Sequence, residues 1–128
     1  MIELIVRVII KRGEEILLCK SLEQGHYFLP GGHVEFGDTL IETVYKELNE
    51  EIGLEKSEIH DIVYKDFLEV MYVQKGEKHH EVNMIFTASM NDDVEVTSKE
   101  DHLSFSWTLM SEIPNINFLP KEMVSFLK

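Results

Sequence analysis

Cysteine is nearly absent from this sequence. Cys19 is the only one in 128 residues, so no intrachain disulfide can form, which fits a reducing compartment. A lone cysteine on a predicted strand reads as a small buried apolar residue rather than a nucleophile. Basic residues are also scarce: 12 Lys and Arg stand against 24 Asp and Glu, for a net charge of −12. A chain this acidic has no general phosphate-contact surface, which argues against nucleic acid as a partner. It also repels free polyphosphates at long range, so an anionic small substrate needs local cations or backbone N–H groups. No apolar run is long enough to span a membrane. The most apolar stretch, MIELIVRVIIKR, holds Glu3 and Arg7 inside it. It lacks the basic start and small-residue cleavage site of a leader, and a cytoplasmic address is the default expectation. There is no repeat and no low-complexity tract. An apolar content of 44% and this length fit one ordinary domain over 1–128.

What the chain does have is a stretch from Gly31 to Leu54, GGHVEFGDTLIETVYKELNEEIGL. It reads as a glycine loop entering one amphipathic helix. Thr39 is a good N-cap, with Glu42 at capping-box spacing. Gly53 suits the left-handed position where the helix stops. Ile41, Val44, Leu48 and Ile52 recur at the helical period, with Tyr45 at the border of that stripe. Glu47, Glu50 and Glu51 stand at i, i+3 and i+4 and are expected on a face away from it. Like charges at that spacing repel, and the last turn of a helix disfavours carboxylates. Two local rules broken at one place mark a candidate site. A bound divalent cation reverses both penalties, and clustered oxygen donors suit Mg²⁺.

The stretch resembles the Nudix box, G-x5-E-x7-R-E-U-x-E-E-x-G-U, where U is bulky and aliphatic. Gly32 opens it and Leu54 closes it. Glu47, Leu48, Glu50, Glu51, Gly53 and Leu54 fall on fixed positions with the spacing intact. Two positions depart: Asp38 stands for Glu and Lys46 for Arg. In the family the arginine holds the first glutamate of the run in place. Lysine is a point charge on a flexible stem and cannot make that bidentate contact. Asp38 and Lys46 are therefore expected to form a matched, weaker pair in a less rigid site. The resemblance implies an α/β fold, a Nudix-type α/β/α sandwich with a mixed central sheet. It further implies that the Gly31 carbonyl joins Glu47, Glu50 and Glu51 as metal ligands for Mg²⁺ or Mn²⁺. Many members supply one more carboxylate from a later loop; Glu100 or Asp101 in the acidic stretch 91–101 is the candidate.

Residues 2–10 read as a strand with Leu4, Val6, Val8 and Ile10 on one face and Ile5, Arg7 and Ile9 on the other. Both faces look covered, as in a sheet between layers. Arg7 is either an edge arginine reaching water or a phosphate clamp. A second strand is expected over 15–20, one or two over 59–73, a turn at 74–78, a return strand over 81–90 and a last strand over 102–110. A short helix is expected over 121–127. Tyr27 occupies the aromatic position that family members often carry before x-L-P-G-G, and it and Gly32 join Arg7 as substrate-binding candidates. Glu35 is a loop acid that either faces water or takes part through it. His79–His80 reads as a turn-to-strand junction. Trp107 is expected in the core.

The chemistry that suits these residues is attack of water on phosphorus, assisted by metal. The resemblance implies a pyrophosphohydrolase whose small-molecule substrate is a nucleoside diphosphate linked to another group. Glu47 or Glu51 serves as general base. The marker proline of ADP-ribose hydrolases is absent, since Glu69 and Val70 stand there. Tyr72, 18 residues past Leu54, matches a position associated with diadenosine polyphosphate hydrolases. The departures at Asp38 and Lys46 motivate an alternative, a catalytically weak module that binds a nucleotide or sugar-nucleotide as a sensor. A third possibility, an isoprenoid diphosphate isomerase, is disfavoured by the short chain and the single Cys19. Either a monomer or a homodimer is compatible with the sequence.

Overall fold

The alternating N-terminal stretch forms the centre of a sheet. In the computed structural model, which describes residues 1–127, seven strands form one mixed sheet. They are β1 (Ile2–Arg12), β2 (Glu15–Ser21), β3 (Tyr27–Phe28), β4 (Gly31–His33), β5 (Ile59–Gln74), β6 (Glu77–Met90) and β7 (Leu103–Leu109). The order is β3-β2-β1-β6-β5, with β4 paired to β1 and β7 to β2. β1 runs parallel to β6, Ile2 opposite His80 through Ile10 opposite Ala88. β4 lies antiparallel on its other side, Arg7 opposite Gly31.

The expected two-sided burial of β1 is present. Val6, Val8 and Ile10 pack with Leu17, Phe86 and the helix residues Val44, Leu48 and Ile52. Ile9 points the other way, into a second cluster with Ile16, Leu18, Leu29, Ile85 and Phe118. The two clusters are the two interiors of an α/β/α sandwich. The helix α1 (Leu40–Ile52) covers the first. Its capping box joins Thr39 and Glu42, and Gly53 ends it at φ 68°. The Gly53 N–H donates to the Asn49 carbonyl at 2.9 Å and the Leu54 N–H to the Leu48 carbonyl at 3.3 Å, closing the last turn.

The second layer is thinner than expected. It is made of two 3-10 segments, Met110–Asn115 and Lys121–Phe126, rather than an α-helix over 121–127. Pro114 and Pro120 leave each stretch too short for more than a turn or two of helix. β3 precedes and β4 lies inside the glycine loop, and neither is expected as a strand, since two and three residues show no periodicity. β5 is one strand bent by two register shifts, between His60 and Val63 and between Tyr64 and Asp66. Among the described residues no helix is long and apolar enough to cross a membrane.

Candidate functional site: carboxylates around the Gly31–Gly32 strand

β4 can lie where it does only because it begins with two glycines. Gly31 has φ 148°, and a Cβ there would sit 1.9 Å from the Val6 carbonyl oxygen. A Cβ on Gly32 would sit 2.6 Å from each carboxylate oxygen of Glu47. Bare backbone thus lets α1 bring its acids against β4. The Gly31 N–H donates to Oε2 of Glu51 at 3.4 Å.

The three glutamates do not share one wetted face. Glu51 is only 6% exposed, Glu47 is half-buried and Glu50 is exposed. The expectation of a separate acidic face fails for Glu51, because it stands seven residues after Val44 and three after Leu48. Helical geometry returns it to nearly the side of the apolar stripe. Burial pushes its carboxyl up to about 8, and the Glu47 charge adds to that; Arg7 and the Gly31 N–H pull the other way. Glu47 is likewise raised, first by burial and then by Glu50. Among the described residues, no Lys, Arg or His nitrogen lies within 4.0 Å of any of the three carboxylates. A buried carboxylate with no cationic partner is the state a bound cation would relieve.

The acidic loop reaches the same place. The Lys99 N–H donates to the Glu51 carbonyl at 2.8 Å. Glu100, half-buried, is close enough that its charge contributes to the rise at Glu51. Asp101 is exposed. The donor set of Glu47, Glu50, Glu51, Glu100 and the nearby Gly31 main chain is all oxygen, which fits a hard divalent ion.

Lys46 does not reach Glu47. Its Nζ lies 3.2 Å from Oε2 of Glu35 and 3.7 Å from Oδ2 of Asp38. The Asp38–Lys46 pair is therefore present and widened by Glu35, and it ties the loop before α1 to the helix. The pairing with Glu35 raises the Lys46 pKa above its ordinary value.

Arg7 is half-buried at the centre of the sheet, not at an edge. Its Nη1 donates to the Leu29 carbonyl at 2.9 Å, and its guanidinium lies 5.5 Å from the Phe28 ring centroid. Burial lowers its pKa, and Glu51 is first among the charges that push it back up. Arg7 also lines a cleft of about 530 Å³ on the face opposite α1, together with His26, Phe28, Val70, Tyr72 and Glu81. It is the link between cleft and carboxylates. Tyr27 has a different place: it packs against the second core cluster, its N–H donates to the Asn117 carbonyl at 2.8 Å, and Lys20 lies over its ring. Phe28, and not Tyr27, is among the residues that line the cleft. Phe28, His26 and Glu81 escaped sequence reasoning because the partners that define the cleft lie in distant segments.

Tyr72 lines that cleft. Its hydroxyl donates to Oε2 of Glu81 at 2.8 Å, and its ring stacks on His79 with centroids 4.9 Å apart. Burial, reinforced by Glu81, holds the hydroxyl pKa well above its ordinary value. His79, inside β6 rather than at its junction, joins Glu3 and Glu81 in a group whose ligand atoms lie within 4.8 Å of one another. These carboxylates already accept from His33, His79 and Tyr72. Trp107 packs on the first cluster with Arg12 4.3 Å from its centroid.

Comparison with known proteins agrees with this architecture. The chain is similar to an RNA pyrophosphohydrolase of Ruthia magnifica subsp. Calyptogena magnifica, 43% identical over 47 residues, 37% of this chain and 26% of that protein. It is similar to the asymmetrical bis(5'-nucleosyl)-tetraphosphatase of Rattus norvegicus, 32% identical over 101 residues, 77% of this chain and 66% of that protein. The matched segments span less than two thirds of either relative. Among solved structures, a C. elegans Ap4A hydrolase in a binary complex superposes with a TM-score of 0.73 at 22% identity, covering 98% of this chain and 91% of that one. That likeness establishes the fold. A family model described as the NUDIX domain matches residues 1–127, and the chain belongs to the Nudix family.

Proposed function

We propose that this chain is a divalent-metal-dependent pyrophosphohydrolase that cleaves a nucleoside diphosphate linked to a further group. The observation that carries the proposal is the buried Glu51 carboxylate, held by the Gly31 N–H without a cationic partner and within the influence of the Glu47 charge, with Glu47 itself against Gly32. Glu47, Glu50, Glu51 and Glu100, with the Gly31 carbonyl, would hold Mg²⁺ or Mn²⁺. When bound, such an ion offsets phosphate charge and acidifies a water. The chain's own groups do the rest. Glu51 is fixed by the Gly31 N–H and serves as an anchor. Glu47, half-exposed beside Gly32, has room to take the proton from the attacking water. Arg7, between cleft and carboxylates, holds a phosphate oxygen. Tyr72 and Phe28 offer ring faces to a base in the cleft.

The Rattus relative is named for a bis(5'-nucleosyl) tetraphosphate, and Tyr72 lines the cleft. Dinucleoside polyphosphates are therefore the first substrates to test. The test titrates Mg²⁺ and Mn²⁺ against a panel of nucleoside polyphosphates and nucleoside diphosphate derivatives, with product phosphate read after a phosphatase. Turnover that requires metal and is lost in Glu51→Gln supports the proposal. Saturable binding without turnover of any compound would replace it with the sensor reading.

A further inference from the structure

The sheet face that carries α1 is only half covered by it. Beyond the helix, register places Ile2 and Leu4 of β1, Val82 and Met84 of β6, and Phe67, Met71 and Val73 of β5 on that one face. Tyr64 continues it to the groove beside Ile41 at the start of α1. These are not grazing exposures: Met71 is 69% exposed, Val73 67%, Ile2 60% and Phe67 54%. With Leu4 and Tyr64 the bare side chains present about 600 Å², at the upper limit of what a monomer leaves uncovered. Each partner of a standard protein interface gives roughly 800 Å².

We propose that this face is a homodimer interface, on which two copies pack sheet against sheet about a two-fold axis. Three observations choose a second copy over another occupant. The area approaches what each half of a stable dimer contributes. The polar side chains at the centre of the patch are tied to each other rather than presented singly, because Glu69 and His80 are hydrogen-bonded there at 2.6 Å. A basic partner of a chain with net charge −12 would be drawn to its unpaired acids, whereas a mainly apolar face is complementary to itself under a two-fold. Pairing through the open edge of β5 is the competing geometry, and the edge is built against it. β5 carries two bulges, Asp61 in the first at φ 54° and Lys65 in the second with Asp66 after it, all features that block strand addition.

The test is sedimentation velocity on the full chain from low micromolar to about 200 µM at two salt concentrations, against a monomer mass of 14.9 kDa. A dimer is expected, and it should tighten as NaCl rises from 50 to 300 mM, because screening removes repulsion between two acidic copies. Phe67→Glu should yield a monomer at the top concentration. Ile2→Glu, at the other end of the patch, should do the same, so one misfolded variant does not decide the matter. Circular dichroism and melting of each variant at low concentration check folding. A wild-type chain that stays at monomer mass throughout overturns the proposal, as does a dimer that both folded variants leave intact.

Discussion

Glu51→Gln should stabilise the metal-free protein at alkaline pH while removing its turnover. The carboxyl titrates near 8 in the folded chain against an ordinary 4.5. Between those values the folded state holds a proton that the unfolded state has lost, so stability falls as pH rises through that window. At about 1.4 kcal/mol per pKa unit, the gap sets a ceiling of about 5 kcal/mol. Sharing of charge with Glu47 reduces the working expectation to about 2–4 kcal/mol. Gln has nearly the same shape and no charge to strand. The assay is thermal unfolding in EDTA at pH 5.5 and pH 9. At pH 5.5 the variant should lead by only about 1.4 kcal/mol, since Glu51 stays protonated in the folded chain while the unfolded carboxyl is one pH unit past its ordinary value. At pH 9 the variant should melt higher, by roughly 3–5 °C per kcal/mol in a domain of this size. Adding Mg²⁺ at pH 9 should raise the wild type and leave the variant nearly unmoved. A melting difference that is the same at both pH values would refute the reasoning, because it would mean that Glu51 carries no buried charge.

Three further outcomes follow from the glycines and from Lys46. Gly32→Ala should leave the melting temperature close to wild type and abolish most turnover, because the atoms nearest the added methyl are the carboxylate end of Glu47, a long side chain that can swing aside; calorimetry with Mn²⁺ should show weakened uptake. Gly31→Ala should lower stability by about 2 kcal/mol or more, since its Cβ meets the Val6 backbone and φ is positive; urea unfolding measures it. Lys46→Arg should raise kcat if loose geometry in the Glu35–Asp38–Lys46 group limits the rate. An unchanged or lower kcat counts against that account.

Much of the site could be read from residue spacing, and much of its physics could not. Thr39, Glu42 and Gly53 announce the ends of α1 because capping is local chemistry. The two-faced burial of β1 is written in its alternation. The burial of Glu51 was also present in the spacing, seven residues from Val44, but a charge at that position reads as surface until a close-packed strand is laid over it. That strand, β4, has three residues and no pattern of its own. Arg7 was ambiguous for a different reason: whether an arginine lies at an edge or in the centre depends on strand order, which alternation does not specify. The cleft face of Phe28 and Glu81 depends on register between segments far apart in the chain, and no single segment encodes it.

Cys19 lies wholly buried in the middle of β2, and burial pushes its thiol up to about 12. A thiolate reagent therefore finds nothing to attack while the sheet is closed. The chain thus has a built-in clock for its own opening. The rate at which the native protein takes up a single alkyl group reports how often the centre of the sheet breathes, with no engineered label and no second site to confuse the signal.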